Sequence, residues 1–286
     1  MTGGLSGFGL ASAGWLAEHG VSDLILVGRR GLDTPGAREA LEDFTSKGIR
    51  VQALACDISD PTAVARLLEQ VHKTCPPITG VLHAATVYDD ALVQNLDAAR
   101  MEAVLAPKLM GAWNLHQATL GIPLEHFVLY SSIATVIGNP GQANYVAANA
   151  GLEGLAEMRR HMGLPAVCVG WGPIGDTGYL SRNEAVRDGL SQSLGKPPMN
   201  AQDALNELER LLSQEHTLTV ANFNWNKLAG YLPSFDQERF SVLNRFIEDT
   251  GVPEWEDDFR TLIAGKSTEE VTEIVKQLVI KEVAQV

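Results

Sequence analysis

The chain has 286 residues, 45% of them hydrophobic and 20% charged, a balance that supports one large α/β domain or a domain with an appendage. Its formal net charge of −13, with the basic residues scattered, excludes a phosphate-backbone partner, since nucleic-acid binding needs clustered Lys and Arg. No apolar run approaches the roughly 20 residues of a membrane helix, no signal peptide opens the chain, and Cys56, Cys75 and Cys168 lack zinc-site spacing. The expectation is a cytoplasmic protein with no metal and no membrane contact.

In chain order, short β-rich apolar runs alternate with helix-length amphipathic segments. A glycine-rich loop at 2–9 leads into a helix over 8–20. Runs at 24–27, 51–55 and 80–83 read as strands, separated by helices near 35–48 and 61–74. A helical pattern over 95–118 precedes a strand at 127–130, a helix over 141–162 and a strand at 166–170, and a helix over 201–212 with a strand at 217–221 closes the series. Parallel strands need crossovers, and crossovers are usually helices, so this order predicts an α/β fold with a doubly wound, Rossmann-like parallel sheet. The loop begins at residue 2 although such loops follow a buried strand, so the first strand is expected to lie outside this sequence.

The pattern then changes. Trp225, Tyr231, Phe235, Phe240, Phe246, Trp255 and Phe259 stand among charges and prolines and predict an irregular extension held by aromatic anchors. From Ser267 a new helix is expected, with Val271, Ile274, Val275, Leu278 and Val279 on one apolar face. The chain thus divides into 1–225, 226–266 and 267–286.

The residues that carry chemistry cluster at the ends of the predicted strands. In Thr2-Gly3-Gly4-Leu5-Ser6-Gly7-Phe8-Gly9, the glycines at 3, 7 and 9 let the backbone turn tightly and approach a pyrophosphate at a helix N-terminus. Arg29 and Arg30 follow the first run where a dinucleotide fold reads the adenosine ribose. Guanidinium groups pair with a 2′-phosphate, so arginine there points to NADPH. Asp57, before Ile58, suits either an adenine contact or a helix N-cap, a part that Ser59 or Asp60 can also play.

Ser131-Ser132 end a strand, and Tyr145 and Asn149 fall four apart at the start of a helix, on one face. A ketone accepts hydride only if its oxygen is stabilised and then protonated, and tyrosine, with a pKa near 10, needs a nearby ammonium group to do this. Lys108 is a candidate for that cation. On spacing alone, a surface lysine laying its stem along apolar neighbours is the commoner reading of it.

Taken together, Thr2 to Gly9, His83-Ala84-Ala85-Thr86, Lys108 to Leu115, Ser131-Ser132 and Pro140 to Ala150 resemble, in order and spacing, the catalytic subdomain of type I polyketide synthase ketoreductases. These belong to the extended short-chain dehydrogenase superfamily. The resemblance implies that Tyr145 is the proton donor, Ser132 orients the substrate carbonyl, Lys108 tunes the tyrosine and contacts the cofactor, and Asn149 completes the site. It also implies NADPH contacts from Thr2, Gly3, Gly4, Ser6, Gly7, Phe8, Gly9, Arg29, Arg30, Asp57, Ile58, His83, Ala84, Ala85, Lys108 and Tyr145.

The family sorts by product stereochemistry through a Leu-Asp-Asp motif or a tryptophan eight residues before the tyrosine. Tyr88-Asp89-Asp90 resembles the first, and Ile137 stands at the tryptophan position, so the resemblance implies a D-configured 3-hydroxyl, with Asp90, Gln142 and Trp171 near the substrate. Thr86 departs from the family's glycine. Trp171 to Gly175 resembles the segment leading to a mobile lid, roughly 176–198, and 267–286 resembles the first helix of an acyl-carrier domain without its serine motif. The implied partners are a carrier domain bearing a phosphopantetheine-linked 3-ketoacyl group and other polyketide synthase domains. Two rivals stand beside this reading: an inactive fragment serving as an interaction segment, and a stand-alone short-chain dehydrogenase acting on a soluble ketone.

Overall fold

In the computed structural model, which describes residues 1–214, 216–231, 238–243 and 261–283, the apolar runs become six parallel strands. These are β1 (Asp23–Gly28), β2 (Arg50–Ala55), β3 (Gly80–His83), β4 (His126–Ser132), β5 (Val167–Trp171) and β6 (Leu218–Val220). β1 pairs with β2, and β3 to β6 follow one another as neighbours. Thr2 joins the two groups through parallel bridges to Val27 and His83. The Thr2 amide donates to the Leu82 carbonyl at 2.9 Å and the Gly3 amide to that of Val27 at 2.9 Å, so residues 1–2 hold the central position. From there the chain winds one way through β1 and β2 and the other way from β3 to β6. That is a topological switch point, where doubly wound sheets bind ligands beyond the strand carboxyl ends.

β4 shows why both faces are covered. Successive side chains of a strand point to opposite faces: Phe127 and Leu129 enter one core cluster with Val64, Leu115 and Leu152, and Val128 and Tyr130 enter another with Trp15, Val169 and Leu205. The first cluster is roofed by α3 (Pro61–Thr74), α5 (Gly111–Ala118) and α7 (Ala143–His161). The second is covered by α1 (Gly7–Glu18), α10 (Ala201–Asn206) and α11 (Leu208–Leu211). A strand buried on both faces reads as a continuous apolar run, which is how β4 and β5 appear in the sequence. α3 starts where Asp60 accepts from the Thr62 amide at 2.8 Å with Pro61 at the first helical position, so Asp60, and not Asp57, is the cap.

The helical pattern over 95–118 is broken. α4 (Ala98–Leu105) passes into a π-helical turn at Ala106–Met110 before α5 resumes. Likewise 201–212 divides into α10 and α11. Residues 176–198, expected from the resemblance to form a lid, carry α8 (Gly178–Ser181) and α9 (Glu184–Leu194).

The chain separates into two compact units, one of Met1–Gln192 with Lys196–Asn222 and one of Ser193–Gly195 with Phe223–Val286. In the second, a helix over Trp225–Tyr231 is anchored by buried Phe223, Leu228 and Phe240, and the Asn224 amide donates to the Leu194 carbonyl at 3.0 Å. The expected anchors Phe235, Phe246, Trp255 and Phe259 lie outside the described residues. The last helix, Thr268–Val283, opens with a capping box: the Ser267 amide donates to the Glu270 carboxylate at 2.8 Å and the Glu270 amide to the Ser267 hydroxyl at 3.3 Å. Along it Val271 and Ile274 are half-buried and Val275 is 40% exposed.

Candidate active site

The glycine loop lies at the switch point. Gly3 has φ +72°, and a Cβ there would lie 2.7 Å from the backbone of Ala84 and Ala85; one at Gly9 would collide with the Gly3 carbonyl oxygen. Any side chain would therefore push the loop off the ends of β3 and α1. Ser6, at the N-cap of α1, makes no side-chain cap hydrogen bond, and the first turn carries no acidic residue. Those amides suit an anion, so the loop fits a dinucleotide pyrophosphate. Phe8 turns inward, its ring 5.1 Å from that of Trp171 and 5.5 Å from that of Tyr130, and Trp171 is itself buried, its indole nitrogen without a partner among the described residues. Gly4 faces the Leu26 side chain.

Arg29 and Arg30 are exposed beyond β1. Asp57 accepts from the Ser59 amide at 3.0 Å and hydroxyl at 2.6 Å, which, ahead of the charge of Arg29, holds its carboxyl below the usual range. Ile58 is locked in place, because Asn114 Nδ2 donates to its carbonyl at 2.9 Å and Gly111 leaves no room for a Cβ beside it. Thr86 is exposed, and among the described residues no non-glycine residue has positive φ, so threonine stands in for the family's glycine without backbone strain.

Sequence spacing alone favoured the surface for Lys108, and the structure reverses that: only 3% of it is exposed. It lies in the π-helical turn, a distortion common at functional sites, and its Nζ donates to the Tyr130 carbonyl at 3.1 Å and stands 5.3 Å from the centre of the Tyr145 ring. Burial lowers its pKa, while the charge of Tyr145 opposes that shift. His83 holds the same turn from beneath. Its Nε2 is 2.7 Å from the Lys108 carbonyl and its Nδ1 is 2.7 Å from the Thr2 hydroxyl. A carbonyl only accepts, so Nε2 carries the proton and Nδ1 accepts from Thr2. Burial, then the charge of Lys108, drives the His83 pKa down to about 3, which keeps this neutral tautomer.

The remaining residues named from the sequence are each held by hydrogen bonds. Asn149 Nδ2 donates to the Tyr145 carbonyl at 2.8 Å, and its buried Oδ1 has no partner among the described residues. Ser132 ends β4, with its hydroxyl accepting from the Ala134 amide at 3.2 Å. Beside it Ser131 donates to Glu153 at 2.7 Å, as does Thr135 at 2.8 Å, tying the strand end to α7. Asn144 carries Tyr145: its Oδ1 accepts from the Tyr145 amide at 2.8 Å, and its Nδ2 donates to the Asp89 carbonyl at 2.8 Å. Gln142 Nε2 donates to Asp90 at 2.8 Å, so these two sequence-selected residues meet, and Asp89 pairs with Arg100 at 2.9 Å.

The sequence marks Asn144, with Pro140, only as matching the family class that gives a D-configured product, and it assigns no part to Asn144 as the support of Tyr145, to Thr2 as a partner of His83, or to Glu153. Only the placement of Asn144 beside Tyr145 hinted at its role, since residues 18 to 81 apart in sequence carry no signal of meeting.

The family described as KR domain matches residues 1–176. The chain is 41% identical over 261 residues to the phenolphthiocerol synthesis polyketide synthase type I Pks15/1 of Mycobacterium bovis, covering 84% of this chain and 12% of that protein. It is equally similar, at 41% over 261 residues, to the "Putative inactive phenolphthiocerol synthesis polyketide synthase type I Pks1" of Mycobacterium tuberculosis, covering 84% of this chain and 16% of that one. Among solved structures, "A-type Ketoreductases from Modular Polyketide Synthase" superpose with a TM-score of 0.73 at 38% identity, over 82% of this chain and 48% of theirs. The chain thus spans less than one-fifth of these synthases and about half of that ketoreductase.

Proposed function

Because the chain belongs to the ketoreductase (KR) domain family of type I polyketide synthases, we propose that it reduces a carrier-bound 3-ketoacyl thioester to the 3-hydroxyacyl thioester with NADPH. The single observation that carries this reading is Lys108, buried in a π-helical turn with its ammonium 5.3 Å from the Tyr145 ring, at the switch point of the sheet.

Thr2, Gly3, Gly7 and the N-terminus of α1 would hold the pyrophosphate, and Arg29 and Arg30 the 2′-phosphate that separates NADPH from NADH. When bound, the nicotinamide supplies a hydride to the carbonyl carbon and is left oxidised. Ser132 donates a hydrogen bond to the carbonyl oxygen, and Tyr145 gives that oxygen its phenolic proton as negative charge develops. The Lys108 ammonium, fixed by the Tyr130 carbonyl, favours the phenolate left behind, which regains a proton from water. Asn149 holds the backbone of Tyr145. Asp90, held by Gln142, borders the site and supports the D-configured product. An acyl-carrier domain delivers the substrate, and its pantetheine arm supplies positioning energy that a free ketone lacks.

The test is NADPH consumption with a 3-ketoacyl pantetheine thioester, with chiral analysis of the product. Tyr145→Phe is expected to reduce turnover by about 10³-fold and to leave NADPH binding in place. Equal turnover of the two proteins overturns the assignment of Tyr145, and equal use of carrier-free ketones makes the chain a stand-alone dehydrogenase.

A further inference from the structure

Tyr88 stands where the family's stereochemical motif has leucine, and its ring makes two contacts. Its centroid is 5.1 Å from that of Tyr145, with the planes inclined at 36°, and 5.4 Å from that of Tyr179 in α8, inclined at 40°. Both lie in the range of favourable aromatic pairs. Tyr88 therefore touches the proposed proton donor and the lid segment at once, and Gly178 beside Tyr179 lies against the glycine loop, where a Cβ on Gly7 would stand 3.0 Å from the Gly178 Cα. No other described aromatic ring pairs with Tyr145.

We infer that Tyr88 is a positioning residue for the reduction: its ring ties Tyr179 of the lid to Tyr145, and its hydroxyl donates a hydrogen bond to the Tyr145 oxygen. This rests on the assignment of Tyr145 as proton donor. Although 42% of Tyr88 is exposed, its phenol is pushed well above its ordinary pKa, first by burial of the group and then by the charge and hydrogen bonding of Tyr145, with Asp90 and Tyr179 adding to the shift. Tyr88 thus keeps its proton above the ordinary tyrosine range. A donor that stays protonated favours the Tyr145 phenolate, as the Lys108 ammonium does. The groups facing the pair are Lys108, Asp90 and Tyr179; Asp89 is neutralised by Arg100.

The two parts are separable. Tyr88→Phe keeps the ring and removes the donor; Tyr88→Leu removes both. Tyrosinate absorbance on titration, taken as the difference between each protein and its Tyr145→Phe counterpart, reads the Tyr145 midpoint without cofactor or turnover. Tyr88→Phe is expected to raise that midpoint by about half to one pH unit, the smaller end reflecting solvent screening. Hydrogen exchange over residues 176–184 reads the lid: Tyr88→Phe should leave its protection intact, and Tyr88→Leu should lower it several-fold. A Tyr145 midpoint unmoved by Tyr88→Phe, or lid exchange unmoved by Tyr88→Leu, overturns the inference. Both readouts are independent of turnover, so they fail separately from the reductase assignment, which falls if Tyr145→Phe consumes NADPH normally.

Discussion

Among the described residues two cationic side chains are buried, one at each end of the sheet, and each stands beside a neutral histidine. At the carboxyl end, Lys108 has His83 on its carbonyl. At the amino end, Arg159, 1% exposed, donates to His116 Nδ1 at 2.9 Å and to the Pro165 carbonyl at 3.0 Å, and its guanidinium lies 3.8 Å from the centre of the Phe127 ring. Among the described residues neither cation has a carboxylate partner, and burial lowers both pKa values, that of Arg159 to about 10. Both histidines are pushed down too, by burial first and the adjacent cation second. What separates the pairs is the neighbourhood. Lys108 faces a half-buried tyrosine that can exchange a proton, whereas Arg159 faces a benzene ring and two acceptors that cannot. A buried, shifted cation is therefore not in itself a site; it becomes one beside a titratable partner at the end of the sheet where ligands bind.

Replacing each cation by methionine, which keeps length and removes charge, breaks or sharpens this comparison. Lys108→Met is expected to give the largest effect, lowering kcat/KM for the thioester by about 10²-fold or more, with the Tyr145 midpoint moving upward in the same absorbance titration. A loss of activity with no movement of that midpoint would mean that Lys108 serves only to hold the cofactor.

The histidines give a smaller effect, read in stability. His83 has a folded pKa near 3 against 6.5 for the free side chain, so below pH 6.5 the unfolded chain takes up a proton that the folded chain refuses. The stabilisation is complete above pH 6.5 and is lost as pH falls from 6.5 toward 3, amounting to about 2 kcal/mol by pH 5. Urea unfolding at pH 7 and pH 5 should show this loss in the parent and a shallower one in His83→Gln, whose amide can still donate to the Lys108 carbonyl and does not titrate. His116 acts with the same sign. Equal slopes in parent and variant would show that His83 is already protonated in the fold.

The two pairs also mark what could be read beforehand. The strands were legible because sheets covered on both faces are written as continuous apolar runs, and the glycine loop because its backbone admits no side chain. The π-helical turn was not legible: Pro107 removes one donor from the helix, but it is His83, 25 residues away, that captures the Lys108 carbonyl. Burial of Lys108 depends on a carbonyl of β4 and a ring of α7, contacts that no local period encodes. Arg159 misleads in the opposite sense. In the last turn of α7, beside Arg160, it reads as a solvated residue placed to favour the helix dipole. In the sequence Tyr88 is only the first residue of a segment resembling the stereochemical motif, in the place of a family leucine, since its contacts come from two rings that the fold brings to it.

Arg159 is where the smallest functional effect is expected. In Arg159→Met the Pro165 carbonyl and His116 Nδ1 lose their donor, at about 1–3 kcal/mol for each buried group left unpaired. Against this, a charge without a carboxylate partner leaves the interior, and replacing buried charge by apolar side chains of similar size is often neutral or stabilising. The two nearly offset, so the net change in unfolding free energy is expected to lie between about 0 and 3 kcal/mol. Reduction should stay within about threefold of the parent, because the packing around Phe127, at the start of β4, is far from Ser132 at that strand's end and from Tyr145 at the start of α7. If Arg159→Met instead lowers kcat/KM as far as Lys108→Met does while the protein remains folded, the two ends of the sheet are coupled, and the contrast between a working cation and a packed one fails.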